Sequence, residues 1–317
     1  MDVDELVAGV LAGDRRAVAR AISAVEDGAE ELPAISAGLY GRTGAASTIG
    51  LTGAPGVGKS TLGTELVRRA RADGHPVAVL AVDPTSPYTG GALLGDRVRM
   101  QEHATDPGVF IRSMATRGHL GGMALAAPEA VRILDASGYA RIIVETVGVG
   151  QAEVDVAAAT DTAVVVLAPG LGDAVQMAKA GILEVADVFV VNKADRDGAG
   201  DVVRELRQML HLGAARAWEP PVLETAALAG EGIDELWATI EDHRAHVEAS
   251  GALAAKRRGR LLREVESLAA ERFRAVAAGA LQGDDALAGD LTARRIDPYA
   301  AAAMLVRLAA EADGRDA

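Results

Sequence analysis

The chain has 317 residues, half of them hydrophobic, and carries a formal net charge of −13 at pH 7. A chain of this length can bury a large core, in one domain or in two. The negative charge argues against nucleic acid and against anionic membrane surfaces as partners. Cysteine is absent, which excludes disulfides and thiolate metal sites and fits a reducing cytoplasm.

Targeting and membrane signals are also missing from the sequence. The segment from Met1 to Glu5 is acidic and has no apolar h-region, so it resembles neither a secretory signal nor an Arg-rich transit peptide. No uncharged apolar run reaches the length of about 18 residues that a membrane span requires. We therefore expect a cytoplasmic protein without a membrane span.

Residues 1–46 are expected to form a helical N-terminal extension. Asp14 is a residue type that caps helix N-termini, and Val18, Ile22 and Val25 follow it at the spacing of one helix face. This pattern predicts short amphipathic helices.

Between residues 47 and 232, short apolar runs rich in Val and Ile alternate with segments of helical pattern. This alternation predicts βαβ units, and hence an α/β domain with a doubly wound, mainly parallel sheet. The predicted strands are 47–52, 77–82, 109–113, 140–145, 163–168, 187–192 and 221–225.

A phosphate-binding loop follows the first predicted strand. The sequence GAPGVGKS at residues 53–60 fits the pattern G-x-x-x-x-G-K-[ST] in full, and a helical segment comes directly after it. The backbone N–H groups of such a loop face the phosphates, and the helix dipole adds to the attraction. Lys59 is expected to reach the β- and γ-phosphates, and the Ser60 hydroxyl to bind Mg²⁺. The nucleotide contacts expected here are Gly53, Gly56, Val57, Gly58, Lys59, Ser60 and Thr61.

Acidic residues end two of the predicted strands. Asp83 follows the second strand and Glu145 ends the fourth, and the carboxyl ends of strands face the ligand crevice of an open α/β sheet. Both are therefore expected near the metal. Asp96 lies in a glycine-rich segment, 90–96, that is able to move with the nucleotide. Gly148 belongs to the run E-T-V-G, where many GTPases have D-x-x-G, and is expected to offer its N–H to the γ-phosphate.

The residue after Gly148 is Val149, where many GTPases have a Gln that orients the attacking water. Gln151 lies nearby but is displaced along the chain. Hydrolysis is therefore expected to be slow without help, or to use a different acid or a partner.

The sixth predicted strand ends in the sequence N-K-A-D, which fits the guanine-reading pattern N-K-x-D. The Asp195 carboxylate can accept both donors of the guanine edge, and adenine lacks this donor pair. Asn192 can meet guanine O6 and N7, and the stem of Lys193 can cover the ring. Thr225 and Ala226 end the next strand and are expected in the same pocket. The expected ligand is GTP or GDP.

Residues 233–317 are expected to be helical. The predicted helices are 233–248, 251–277 and 297–312, with Gly279 as a stop signal for the second. An apolar stripe runs from Leu253 to Val276, and its spacing fits either an intramolecular core or a dimer seam.

Two polar features in this region have ordinary interpretations. His243 and His246 are three residues apart and are expected to be exposed polar residues rather than a metal-binding pair. The basic run 256–260 is expected to be a solvated helix face, with an acidic partner as the alternative.

These motifs together resemble one family, the GTPases associated with methylmalonyl-CoA mutase (the MeaB/ArgK group). The resemblance covers about residues 47–226, and its most specific parts are the segments 112–122 and 145–151. It implies that Asp83, Asp96 and Glu145 serve Mg²⁺ binding and GTP hydrolysis. It also implies a helical N-terminal extension and a helical C-terminal arm that holds a homodimer.

The resemblance further implies a partner and a role. Proteins of this family gate the loading of adenosylcobalamin into a cobalamin-dependent acyl-CoA mutase, such as methylmalonyl-CoA mutase, and protect or reactivate that enzyme. The segment 169–179 follows the fifth predicted strand, at the position of a family switch that touches the mutase, and Lys179 matches its basic residue. Gln151 is assigned to the neighbouring switch.

Three other functions are weighed against this one. A nickel-insertion GTPase of the same class would need tracts rich in His or Cys, whereas this chain has six scattered His and no Cys. A kinase would need an acceptor-substrate site, and none can be read from the sequence. A nucleotide-gated scaffold would not need the intact Lys59, Ser60 and the acidic residues.

Overall fold

A computed structural model describes residues 2–83, 103, 105–115, 123–146, 156–171, 182–213, 216–283 and 285–313. The chain divides into two units, Met1–Arg260 and Leu261–Ala317. The sheet and the predicted nucleotide motifs lie in the larger unit.

The chain begins with three helices, α1 (Val3–Leu11), α2 (Arg15–Asp27) and α3 (Leu32–Tyr40). The Asp14 carboxylate caps α2 by accepting hydrogen bonds from two backbone N–H groups of its first turn. Val18, Ile22 and Val25 are buried in one apolar cluster with residues of the sheet. The helices and the cap predicted for this region are confirmed.

The parallel strands of the chain are β1 (Ser47–Thr52), β2 (Val77–Asp83), β3 (Val109–Ala115), β4 (Arg141–Thr146), β5 (Thr162–Leu167), β6 (Val188–Asn192) and β7 (Val222–Thr225). They form one sheet in the order β3-β2-β4-β1-β5-β6-β7. Every residue of β1, β4, β5 and β6 is buried, which explains their continuous apolar runs, since both faces of a parallel sheet are covered. The predicted fold class is confirmed, with strand ends within two residues of expectation.

Helices cover both faces of the sheet. Two of them, α4 (Lys59–Ala72) and α8 (Ile233–Ala249), bury Leu66 and Trp237 against one face. The N-terminal helices and α5 (Met123–Ala136) pack on the other. Within the described residues, no helix is both long and apolar enough to cross a membrane. The described residues between the strands also form α6 (Ile182–Val185) and α7 (Ala199–His211).

The strand order reverses at β1, which lies between β4 and β5. From β1 the chain first builds the side of β2, β3 and β4, and then crosses over to build β5, β6 and β7. Open α/β sheets bind ligands outside the carboxyl ends of the strands at this point of reversal. The predicted phosphate loop follows β1 directly and therefore lies there.

Three helices end the chain, α9 (Ala252–Gly283), α10 (Asp285–Thr292) and α11 (Pro298–Asp313). The expectation that Gly279 ends the second C-terminal helix is wrong, because α9 continues through it. A glycine inside a helix costs only about 1 kcal/mol, which the rest of a long helix can offset. The smaller unit has an apolar cluster of its own around Leu287, Ala301 and Leu305.

The expectation that His243 is an exposed surface residue is wrong. Its side chain is 2% exposed, and its two ring nitrogens lie 2.8 Å from Thr162 Oγ1 and 3.3 Å from Asp187 Oδ1. The residue is buried because α8 packs against the sheet. Its partners explain why a polar ring is tolerated there.

The interpretation of the basic run as a solvated helix face is also wrong. Arg257 and Arg260 form ion pairs with the buried carboxylate of Asp161, and Lys256 lies 3.1 Å from the Asp187 carboxylate. These contacts lie within the larger unit and hold the first turns of α9 against residues next to β5 and β6. Burial of their carboxylate partners could not be read from the helical spacing.

Candidate functional site

The phosphate loop is shaped by two glycines that no other residue can replace without strain. Gly53 has φ +141°, and a Cβ there would lie 2.1 Å from the carbonyl oxygen of Val166. Gly58 has φ +103°, and a Cβ there would lie 2.3 Å from Nδ2 of Asn192. Both conformations favour glycine. The loop therefore packs closely against the ends of β5 and β6.

The Lys59 side chain lies along this loop. Its ammonium group donates to the carbonyl oxygens of Gly53, over 2.5 Å, and Ala54, over 3.2 Å. Lys59 and Ser60 are both buried in the first turn of α4, and Thr61 follows them. The loop thus places a cation and a helix N-terminus together, which is the arrangement that binds phosphate.

The hydroxyl of Ser60 donates a hydrogen bond of 2.5 Å to Oε1 of Glu145. Glu145 is 3% exposed and lies next to the last residue of β4, which neighbours β1. The structure therefore joins the two residues that the sequence assigned to the metal from different motifs. Two oxygen-bearing side chains meet at the carboxyl edge of the sheet.

Several other predicted residues have no described side chain. Asp83 ends β2 as expected, and the description covers its backbone. Asp96, Gly148, Gln151 and Lys179 lie outside the described residues. Their assignments stay predictions.

The base-reading strand end is tied to the phosphate loop by Asn192. Its amide Nδ2 donates to the carbonyl oxygen of Val57 over 2.9 Å. Its Oδ1 accepts from Thr225 Oγ1 and from the backbone N–H of Ala227, each over 3.1 Å. Asn192 is 2% exposed, so it acts as a buried brace between three segments.

Lys193 has a left-handed backbone conformation with φ +59°, and its ammonium donates to the carbonyl oxygen of Gly56 over 2.6 Å. Its stem therefore spans from the base-reading turn to the phosphate loop. Asp195 is exposed, so its carboxylate is accessible to a ligand. Thr225 and Ala226 are buried beside this turn, and the N–H of Ala194 bonds to the carbonyl oxygen of Thr225.

Two features of the site were missed by sequence reasoning. The first is Ala227, whose backbone N–H holds Asn192; nothing in its residue type signals this. The second is a pair of buried hydroxyls, Thr52 and Thr146, at the ends of β1 and β4. Their signal is a polar residue at the end of an otherwise apolar strand.

A parallel sheet whose point of reversal carries a phosphate loop, with an N-K-x-D turn bonded to that loop, defines a P-loop GTPase. Residues 18–281 match the sequence model of a family described as "Methylmalonyl Co-A mutase-associated GTPase MeaB". The chain belongs to this family.

Known proteins of similar sequence and fold support the assignment. A protein of Pyrococcus horikoshii that is named as a GTPase is 49% identical over 308 residues, covering 96% of this chain and 97% of the relative. The GTPase ArgK of Escherichia coli is 40% identical over 254 residues, or 76% of each chain. The crystal structure of a protein named as a LAO/AO transport system kinase has a TM-score of 0.70 and 26% identity, covering 96% of this chain and 97% of that one.

Proposed function

We propose that this GTPase is a chaperone that gates the loading of adenosylcobalamin into a cobalamin-dependent acyl-CoA mutase and protects or reactivates that enzyme. The observation that carries the proposal is the match of residues 18–281 to a family described by its association with methylmalonyl-CoA mutase. The match extends beyond the nucleotide site into α9. The absence of cysteine supports the cytoplasm, a reducing compartment, as the location.

The proposed nucleotide contacts follow from the geometry of the site. Backbone N–H groups of Gly53 and of residues 56–61 hold the phosphates, and Lys59 exchanges its carbonyl partners for phosphate oxygens. Asp195 reads the guanine edge, because an exposed carboxylate next to a rigid turn can accept from two N–H donors. Asn192 acts mainly by holding Val57 and Ala227 in place. Thr225 and Ala226 complete the pocket.

The chemistry of the Ser60–Glu145 pair fits Mg²⁺. A hydroxyl and a carboxylate are the hard oxygen donors that Mg²⁺ prefers, and Mg²⁺ in nucleotide sites typically uses one or two protein oxygens with phosphates and waters. Their mutual hydrogen bond of 2.5 Å shows that both reach one point. When bound, the metal would neutralise charge on the phosphates. Asp83 and Asp96 are proposed as further acids of this site, and Gly148 as a γ-phosphate donor.

The C-terminal region is proposed to hold a homodimer. We expect this interface within residues 233–277. The first helix of that range, α8, buries Leu236, Trp237 and Ile240 in the core of the larger unit, so these residues are not available to a partner. The exposed apolar residues lie further on, in α9: Leu261, Leu262, Val265 and Leu268 are 39–62% exposed. A cluster of this kind favours association with a partner surface, and the proposed partner is a second copy.

The test of the proposed function is a reconstitution with a purified cobalamin-dependent acyl-CoA mutase. GTP turnover is expected to rise when the mutase is added, and retention of the mutase on immobilised protein is expected to depend on whether GDP or a non-hydrolysable GTP analogue is bound. Lys179→Ala is expected to remove the acceleration, since the family resemblance implies that this residue belongs to a switch that touches the mutase. A mutase that neither binds nor changes the GTPase rate would contradict the proposal.

A further inference from the structure

Thr52 and Thr146 are buried threonines that end adjacent strands. Thr52 is the last residue of β1 and Thr146 the last of β4, and their side chains are 0% and 1% exposed. Leu51 and Glu145 are paired in the parallel register of these strands, so the two threonines that follow them are at the same level. Successive side chains of a strand alternate between faces, so both threonines lie on the sheet face opposite Glu145.

At the same level of the sheet, the strands on both sides of these two carry valine. Val82 of β2 pairs with Thr146, and Val165 of β5 pairs with Thr52. Valine has nearly the shape of threonine but lacks the hydroxyl. At this level β2 and β5 thus carry valine, and β4 and β1 between them carry threonine.

Neither hydroxyl oxygen has a hydrogen-bond partner among the described residues. A buried hydroxyl without a partner costs about 1–3 kcal/mol. Val82 and Val165 show that a valine side chain fits at this level of the sheet. The face is closely covered next to Thr52, since a Cβ on Gly50 would lie 2.5 Å from Thr160 Oγ1. Thr160, in contrast, uses its hydroxyl to donate to the carbonyl oxygen of Val156.

The positions of Thr52 and Thr146 in the chain indicate a ligand for their hydroxyls. Thr52 directly precedes the phosphate loop, and Thr146 directly follows Glu145, which bonds to Ser60. The two threonines therefore end the strands that lead into the phosphate loop and that carry the proposed metal carboxylate, at the carboxyl edge of the sheet where open α/β sheets bind ligands.

We propose that Thr52 and Thr146 are positioning residues for GTP hydrolysis, whose two hydroxyls bind an oxygen that is present only in the triphosphate state. This oxygen belongs either to the γ-phosphoryl group or to the water that attacks it. Binding it satisfies hydroxyls that are otherwise buried at a cost. The site then favours GTP over GDP through hydroxyls that have no hydrogen-bond partner among the described residues of the ligand-free protein.

The test uses Thr52→Val, Thr146→Val and the double variant in the full-length chain. Unfolding of the ligand-free protein by urea is expected to show equal or higher stability than wild type, because valine removes an unsatisfied polar group. Affinity for GDP is expected to be unchanged. Affinity for a non-hydrolysable GTP analogue or for GDP with aluminium fluoride is expected to fall about 5–10-fold for each variant, the size of one lost hydrogen bond.

The two ligands distinguish the source of the oxygen. Loss of affinity for both assigns the γ-phosphoryl group, whereas loss for the aluminium fluoride complex alone, with kcat lowered and KM unchanged, assigns the attacking water. Thr146→Ser is expected to restore the wild-type affinities, since it restores the hydroxyl. The double variant is expected to lose less than the product of the single losses, because both hydroxyls bind one oxygen.

Thr160→Val is the matched control, since it removes a buried hydroxyl that already has a partner. It is expected to lower the stability of the ligand-free protein and to leave the ratio of GTP-analogue to GDP affinity at the wild-type value. The proposal is overturned if the Thr52 and Thr146 variants lose stability as this control does. Equal losses for GDP and for the triphosphate ligands would overturn it as well.

Discussion

The side-chain amide of Asn192 donates a hydrogen bond of 2.9 Å to the carbonyl oxygen of Val57, so the base-reading turn and the phosphate loop are directly joined. The same side chain accepts from Thr225 and Ala227. The left-handed Gly58 leaves no room for a side chain at this contact. One buried amide therefore fixes the distance between the two halves of the nucleotide site.

Replacing Asn192 with alanine is expected to weaken GDP and GTP binding together. The change leaves buried backbone groups of Val57 and Ala227 without their partner, at about 1–3 kcal/mol of folding stability. Calorimetric titration with both nucleotides and urea unfolding measure the two effects. An Asn192→Ala protein of wild-type stability that merely tolerates ATP better would show that Asn192 reads the base and does not brace the loop.

Asp195→Asn is expected to change selectivity without changing stability. Its carboxylate is exposed, so the fold does not depend on it, but the amide cannot accept both guanine donors. The preference for GTP over ATP is expected to fall by about 1–3 kcal/mol, the scale of a lost bidentate base contact. Competition binding measures it, with Asp197→Asn, an exposed neighbour, as the control. Equal affinity of the wild type for ATP and GTP would remove this residue from the site.

The features that sequence predicts well here are local in the chain. The phosphate loop and the N-K-x-D turn are contiguous motifs, and the Val- and Ile-rich runs mark strands because a parallel sheet buries both faces. Contacts between distant residues are different. Val57 and Asn192 are 135 positions apart, and Asp161 and Arg257 are 96 apart, so no spacing rule connects them.

Thr52 and Thr146 illustrate the same limit of prediction from sequence, because their relative position depends on strand register. Threonine at a strand end is common, because its branched side chain suits strands. The role proposed for Thr52 and Thr146 rests on their lying side by side between Val82 and Val165. Only the pairing of four strands shows this.

Glu145→Gln is expected to slow GTP turnover more than it weakens nucleotide binding. Glutamine keeps the size of the side chain and an acceptor for Ser60, but removes the negative charge that suits Mg²⁺. A fall in kcat of about 10–100-fold is expected, the usual effect of altering groups around a metal. Phosphate release under multiple turnover measures kcat. Assays with and without EDTA, which removes Mg²⁺, show how much of the turnover depends on the metal. Glu224→Gln, at an exposed position of β7, is the control, and wild-type turnover of Glu145→Gln would exclude the acid from hydrolysis.

Val265→Glu is expected to convert the proposed dimer to a monomer. Val265 is 62% exposed in α9, and Leu261 and Leu268 lie one turn before and after it. A buried unpaired carboxylate in a dimer seam is strongly unfavourable. Light scattering measures the mass, and Leu212→Glu is the control, because Leu212 is 86% exposed at the end of α7. A dimer that persists in Val265→Glu would place the interface elsewhere.

Asp161 binds the first turns of α9 through two ion pairs. Its carboxylate accepts from Arg257 and Arg260 and from the backbone N–H of Thr48. Burial would raise the pKa of Asp161, but the hydrogen bonds and positive charges of the two arginines outweigh it, so the pKa lies below its usual value. Arg257 also donates to the carbonyl oxygens of Gly44 and Ala46. The carboxylate thus joins the start of β1, the start of β5 and the first turns of α9.

Asp161→Asn is expected to destabilise the larger unit by about 3–5 kcal/mol at pH 7, since it leaves two arginines without their buried partner. Because the folded-state pKa is lowered, this stabilisation is fully present above the unfolded-state pKa of about 3.9 and is lost as pH falls toward the folded-state value. Urea unfolding at a series of pH values should therefore show a gap between wild type and variant that is constant from pH 7 to about 5 and narrows below about 4. Asp201→Asn, which breaks the exposed ion pair with Arg204, is the control, with an expected change of about 0–1 kcal/mol. A gap that keeps its size in acid would show that the asparagine disrupts packing and that the charge of Asp161 does not stabilise the fold.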